Sequence, residues 1–294
     1  MNVYVVHLEW PEKCFRTSPE ALAVLRGLVP KGSRIVRART EKAFLKALPS
    51  ATHVVTWPFR KEWFALAPKL RLLATPSAGR EFMPTEGPKG VTVHFGGFHG
   101  AAMAESVLGM MLAWCRGMVA SERLGGWPKI ALSERCYRLA GTRAVILGYG
   151  RIGHVVGDRL AALGVEVVGI RRGNIASLAK EAKRADWLIC ILPSDTGTTD
   201  IVDAKLIASL PKRCVVVNVG RGNAIDETAL ATSLKRGKVA AALLDVWKKE
   251  PPDGDSPLWR DDVPNILRMP HSAAFHPEYI ADCFRELAAE GLLK

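Results

Sequence analysis

The sequence predicts an α/β protein of two domains, each a doubly wound parallel sheet, the larger a Rossmann dinucleotide-binding domain. Three observations carry this. Short apolar runs alternate with helix-like stretches, a glycine-rich turn stands between one such run and a helix, and the chain has 294 residues. A single hydrophobic core stops growing at roughly 250 to 300 residues, so two cores are the natural partition. Apolar runs of strand length that alternate with helical patterns build βα units, whose crossover helices cover a parallel sheet.

In the first part of the chain the apolar runs are Val3 to Leu8, Thr52 to Thr56, Leu70 to Thr75 and Val91 to Phe95, with helical patterns at Ser18 to Leu28 and Glu62 to Leu66. A longer, nearly uniformly apolar helix is expected from Ala101 to Met118. A helix that is apolar all round must be buried, inside its own domain or against another subunit. A second βα series then runs through Arg143 to Leu147, Glu166 to Ile170, Trp187 to Leu192, Val215 to Val219, Ala240 to Leu244 and Ile266 to Met269. The proline-rich loop from Pro251 to Pro257 interrupts regular structure before the last of these. The expected division is residues 1–96, completed by 275–294, and residues 97–274.

With 48% hydrophobic and 24% charged residues the chain is globular in composition, not disordered or fibrous. No apolar stretch reaches the ~18 residues a membrane span needs, and the N-terminus lacks the pattern of a secretory leader, so a cytoplasmic protein without a membrane partner is expected. The six cysteines form no CxxC pair and have no histidine at ligand spacing, which predicts reduced, mostly buried thiols and no metal. A net charge of +12 suits an anionic partner. Charge alone does not choose between nucleic acid and small acidic ligands. The cations are spread along the chain without zinc-finger spacing or an RRM-like aromatic signature, so no specific nucleic-acid partner is expected.

The glycine turn is more specific. Gly148-Tyr149-Gly150-Arg151-Ile152-Gly153 follows the strand Ala144 to Leu147, precedes a helical pattern from Val155 to Leu163, and is followed by a second strand at Val165 to Ile170. This is G-x-G-x-x-G in the context that gives it meaning. Gly148 permits a tight turn, Gly150 lets backbone approach a pyrophosphate, and Gly153 lets helix and strand pack closely. NAD-binding versions place a carboxylate at the end of the second strand to bind the ribose 2′-hydroxyl. Here Arg171 and Arg172 stand there, with no carboxylate to repel a 2′-phosphate and two guanidiniums to pair with it. NADP is the expected cofactor, with NAD as the second choice.

Three further segments follow strands of the second series: Asn218-Val219-Gly220-Arg221-Gly222, Asp245-Val246-Trp247-Lys248-Lys249-Glu250-Pro251, and Met269-Pro270-His271-Ser272-Ala273. Ligands in open α/β sheets bind outside the carboxyl ends of strands, so these segments can converge. Together with the glycine motif they resemble the D-isomer-specific 2-hydroxyacid dehydrogenase family. The run Asp226 to Leu230 and Pro257-Leu258-Trp259 extend that likeness.

The resemblance implies a hydride transfer between NADP(H) and a small 2-oxo or 2-hydroxy acid, with glyoxylate and hydroxypyruvate reductases as the nearest members. It implies His271 as acid/base, Glu250 as its carboxylate partner and Arg221 as the group that holds the substrate. Each role is chemically reasonable by itself. An alkoxide formed from a ketone must take a proton near neutrality, a neighbouring carboxylate favours imidazolium, and a guanidinium is a permanent bidentate fork for a carboxylate. The resemblance also places Pro193, Thr198 and Asp245 at the cofactor, and makes the first domain the substrate domain. There the turn Ser77-Ala78-Gly79 resembles the family's carboxylate-gripping turn, and Trp57 either walls the substrate or packs in the core. Because family members pair through the region of the long apolar helix, a homodimer is implied. The family also includes corepressors, so a dinucleotide-sensing regulator is the alternative.

Overall fold

The computed structural model describes all residues 1–294 and divides into two compact units, residues 1–99 with 275–294, and residues 100–274. In the first unit, β1 (Val3–His7), β2 (Arg34–Arg37), β3 (His53–Thr56), β4 (Leu72–Thr75) and β5 (Thr92–Phe95) form a parallel sheet in the order β2-β1-β3-β4-β5. Helix α1 (Pro19–Leu28) starts where the Ser18 hydroxyl accepts the Ala21 N–H, with proline at its first position, and α2 (Glu41–Ala47) is capped in the same way by Thr40. The core is built from Val5, Phe44, Leu48, Val54 and Leu73.

Two local departures from expectation have simple causes. Strand β2 has only two apolar residues between two arginines and lies at the sheet edge, so it lacks the run that marks a buried strand. The helix expected at Glu62 to Leu66 is a 3-10 segment, Lys61–Leu66, with Pro68 two residues beyond it. The C-terminal helix, Tyr279–Ala289, returns to the far edge of this sheet. There Glu286 accepts the Gly97 N–H at 3.0 and 3.1 Å, and His94 stands 3.3 Å from both Glu286 and Glu290.

The second unit carries β6 (Arg143–Leu147), β7 (Glu166–Ile170), β8 (Trp187–Cys190), β9 (Val215–Asn218), β10 (Ala241–Leu244) and β11 (Ile266–Arg268), all parallel, in the order β11-β10-β9-β8-β6-β7. Strand order reverses between β6 and β8, which makes the crevice beyond their carboxyl ends the topological switch point. Flanking helices are α3 (Gly100–Cys115), α4 (Met118–Leu124), α5 (Lys129–Ser133), α6 (Arg151–Ala162), α7 (Leu178–Ala182), α8 (Ala204–Ser209) and α9 (Glu227–Lys235).

Alternating strand residues feed two cores. Val145, Leu188, Val216 and Ala242 face one, while Ile146, Ile189, Val217 and Leu243 face the other together with Met103, Val107 and Met111 of α3. Helix α3 is therefore buried on one side only. Leu112 stays 36% exposed, and Glu105 faces outward to pair with Arg159 at 3.1 Å. The helix also ends earlier than its composition suggests, because Gly117 adopts φ +70 and a Cβ there would sit 2.8 Å from the Cys136 sulfur. All six cysteines are free thiols. Burial pushes Cys190 and Cys214 up to about 12, which makes both inert at neutral pH.

Candidate active site

The glycine turn follows β6 and opens α6 at the switch point. Gly148 has φ +98, and a Cβ on it would lie 2.5 Å from the Ile191 carbonyl oxygen, so the turn closes against the end of β8. At Gly153 a Cβ would lie 2.4 Å from the Gly148 carbonyl oxygen, which is the close helix-to-strand packing expected of the third glycine. Gly150, the N-cap residue of α6, has nothing within 4 Å of its Cβ position. The middle glycine thus faces open space at a helix N-terminus, and the cradle fits a pyrophosphate. Arg151 and Ile152 form the first turn of α6. Beyond β8, Pro193 and Thr198 shape the facing loop. The Thr198 hydroxyl lies 2.8 Å from the Pro193 carbonyl and accepts the Asp195 N–H at 3.0 Å.

The two arginines after β7 are unequal. Arg171 is held by a hydrogen bond to His154 Nε2 and lies over the Tyr149 ring at 5.6 Å. Arg172 has a side chain 96% exposed, its carboxylate neighbour being Asp195 at 3.9 Å. Neither position has an acidic side chain of the kind that binds a ribose 2′-hydroxyl.

Arg221, Glu250 and His271 come from the loops after β9, β10 and β11. His271 Nδ1 lies 2.7 Å from Glu250 Oε2, and the other Glu250 oxygen accepts the Trp247 N–H at 3.0 Å. Burial alone would raise the Glu250 carboxyl. The His271 hydrogen bond, the Trp247 N–H and the charges of His271 and Arg221 together outweigh it and hold Glu250 below the usual carboxylate range. Arg221 Nη1 donates to the Gly220 carbonyl at 2.9 Å. This group therefore contains a fixed carboxylate, an imidazole whose Nε2 points away from it, and a guanidinium close enough to act on the same carboxylate.

The loops are held by residues less legible in the sequence. Asn218 donates to the Arg221 carbonyl at 3.0 Å and accepts the Gly220 N–H at 3.1 Å, which knits the turn that presents Arg221. Gly222 is required because a Cβ there would lie 1.9 Å from the Trp247 carbonyl carbon. Buried Glu227 accepts the Lys248 N–H at 2.8 Å and so anchors the Glu250 loop. Asp245 spends its two carboxylate oxygens on the Ser272 and Ala273 N–H groups at 2.7 and 2.9 Å, and its carbonyl accepts the His271 N–H at 2.7 Å. In this structure it positions the histidine loop. His271 itself adopts φ +54, a left-handed conformation rare outside glycine and frequent at functional sites.

In the first unit, Ala78 is exposed on the turn after β4, and the Gly79 N–H donates to the Ser77 hydroxyl at 3.0 Å. Trp57 is only 6% exposed, and its Nε1 donates to the Phe15 carbonyl at 3.0 Å amid Trp10, Phe15 and Tyr279, so it packs within an aromatic cluster of that unit.

Residues 108–273 match the family description "D-isomer specific 2-hydroxyacid dehydrogenase, NAD binding domain" over more than half of the chain. The chain belongs to this family. A glycerate dehydrogenase of Methylorubrum extorquens is 28% identical over 229 residues, covering 74% of this chain and 73% of that protein. A D-3-phosphoglycerate dehydrogenase of Methanocaldococcus jannaschii is 35% identical over 188 residues, covering 59% of this chain but only 35% of its own length. A D-isomer specific 2-hydroxyacid dehydrogenase of Xanthobacter autotrophicus, solved with NADPH and MES, superposes with a TM-score of 0.76 at 25% identity, covering 98% of this chain and 96% of that one. The second unit of this family member is thus a nicotinamide-dinucleotide domain. No helix in it or in the first unit is long and apolar enough to cross a membrane.

Proposed function

We propose that this dehydrogenase reduces a small 2-oxo acid to its 2-hydroxy acid, with NADPH preferred over NADH. The observation that carries the reading is the 2.7 Å contact between His271 Nδ1 and Glu250, with Arg221 near enough to act on the same carboxylate. The glycine turn would hold the pyrophosphate of a reduced nicotinamide dinucleotide, which would supply the hydride. Residues of the chain do the rest. Arg221 holds the substrate carboxylate and polarises the ketone. His271 Nε2 gives its proton to the oxygen that becomes the hydroxyl, and Glu250 keeps the ring oriented and favours its charged form. Ala78 and Gly79 are the proposed substrate contacts of the first unit.

Glyoxylate and hydroxypyruvate are the first substrates to try, and the likeness to a glycerate dehydrogenase supports hydroxypyruvate, the oxidised form of glycerate. The NADPH preference is supported by Arg171 and Arg172 and by the NADPH-bound relative. We also place the protein as a homodimer, on the exposed apolar residues between α3 and β6. The test is oxidation of NADPH and NADH by a panel of 2-oxo acids. Turnover of at least one acid with NADPH at about tenfold higher kcat/KM than with NADH is expected from one net charge-assisted contact. No turnover with any acid would overturn the catalytic reading, and an NADH preference would overturn the cofactor reading.

A further inference from the structure

The two arginines after β7 differ in how they are held, and the difference traces to His154, a residue outside the glycine motif. His154 lies in the first turn of α6, where its N–H donates to the Gly150 carbonyl at 2.9 Å. Its ring packs on Tyr149 at 4.2 Å between centroids, and its Nε2 takes the Arg171 guanidinium. Tyr149 is itself seated by two glycines. A Cβ on Gly169 would lie 2.3 Å from the tyrosine ring and one on Gly157 would lie 2.6 Å from its hydroxyl, so only glycine at both positions lets the ring lie flat against β7 and α6. The backbone of Arg171 is fixed as well. Its N–H donates to Asn174 Oδ1 at 2.6 Å, and Asn174 Nδ2 donates to the Gly169 carbonyl at 3.0 Å. Arg171 is therefore held at its backbone by Asn174 and at its guanidinium by Tyr149 and His154.

We propose that His154 is a positioning residue for cofactor discrimination: as a neutral imidazole it accepts a guanidinium N–H of Arg171 and aims that group at the 2′-phosphate of an adenosine bound in the cradle. A free arginine must lose rotamer entropy to pair with phosphate, whereas a held one has already lost it, so the held arginine contributes more net affinity. Arg172, extended into solvent near Asp195, contributes less and mainly offsets that carboxylate. The guanidinium keeps further N–H groups for the phosphate after one is given to His154. The inference rests on the proposed NADP preference and adds the residue that makes Arg171 effective.

The probes are adenosine 2′,5′-bisphosphate and 5′-AMP, whose binding to the full-length protein is measured by calorimetry without any turnover. The parent is expected to bind the bisphosphate more tightly. His154→Phe keeps the ring on Tyr149 and removes the acceptor, so it should weaken bisphosphate binding by about three- to tenfold, the ordering cost of one arginine side chain, while 5′-AMP binding stays within about twofold. His154→Gln restores an acceptor and should recover most of the loss. In an Arg171→Ala background the phenylalanine change should cost nothing further, because the group it positions is gone. Unchanged bisphosphate binding by His154→Phe, or equal losses of both ligands, overturns the role of His154. A parent that does not distinguish the two ligands overturns the reading of the arginines on which it rests.

Discussion

His271, Glu250 and Arg221 stood out in the sequence through their likeness to the family's patterns after three strands, and the structure brings His271 Nδ1 to 2.7 Å from Glu250. The supports were not readable, because their roles are spatial. Nothing in the spacing of Asn218, Glu227 or His154 says that their side chains close on residues 3, 21 and 17 positions away. The proposed roles give sharp expectations. His271→Ala should lower kcat by the ~10²- to 10⁴-fold typical of acid-base groups while fluorescence titration shows cofactor affinity nearly unchanged, and activity within a fewfold of the parent would remove His271 from the chemistry. Glu250 is held ionised below the usual carboxylate range, so it stays charged across the neutral range and supports the imidazolium there. Glu250→Gln removes that support, and the alkaline limb of the reduction profile should move to lower pH. A folded variant with the parent profile would break the pairing. Arg221→Lys keeps the charge and loses the fork, and KM for the oxo acid is expected to rise despite the mild change.

At the scale of elements, the buried strands of the second sheet were legible as continuous apolar runs, because helices cover both faces of a parallel sheet. The edge strand β2 was not, since half-exposed Ile35 and Val36 between arginines carry no such run. The R-G pair after β9 shows how an element boundary can be set by a neighbour far along the chain. Gly222→Ala would drive a methyl into the Trp247 carbonyl, from a Cβ position 1.9 Å away, and backbone cannot yield as a side chain can. A loss of about 1 to 3 kcal/mol is expected from such overpacking, read as a lower thermal midpoint. Activity should fall as well, because the Trp247 N–H holds Glu250. In β3, His53 is 2% exposed, stacks on Tyr4 at 4.4 Å and is pushed down to about 4 by burial and the nearby Arg71 charge. Between that value and the ordinary histidine value of about 6.5 the unfolded chain binds a proton that the folded strand does not. Stability should therefore fall as pH drops from 6.5 toward 4, by up to about 3 kcal/mol, and His53→Phe should flatten the dependence of the urea midpoint on pH.

At the scale of the whole molecule, composition and the βα alternation were sufficient for fold class, since both report how much apolar surface must be covered and by what. Assembly is harder to read, because a helix that is apolar all round does not say which face meets its own sheet. In the structure α3 buries Met103, Val107 and Met111 and leaves Leu112 outward, and the segment after it exposes Met118 by 59%, Leu124 by 49%, Trp127 by 89% and Ile130 by 80%. Beside α4 lies a cavity of about 940 Å³ whose walls include Trp114, Val119, Leu124, Tyr137 and Val239. A monomer with that much apolar surface in one stretch is unusual. A twofold axis beside this segment would set it against the same segment and hollow of the other chain, so one geometry covers the exposed residues of both. Each tryptophan carries roughly 150 to 250 Å² of surface, worth about 4 to 6 kcal/mol before ordering costs, and a dimer buries two. Light scattering should therefore find a species of twice the 32.0 kDa chain mass at micromolar concentration. Trp127→Asp with Ile130→Asp should shift it to monomer by weakening association at least about a hundredfold, a 2.7 kcal/mol change that is well within the apolar surface removed. These residues belong to neither the glycine turn nor the three catalytic loops, so a monomeric variant should still bind adenosine 2′,5′-bisphosphate. A parent that stays monomeric at high protein concentration would remove the dimer and leave the exposed segment without a partner of its own kind.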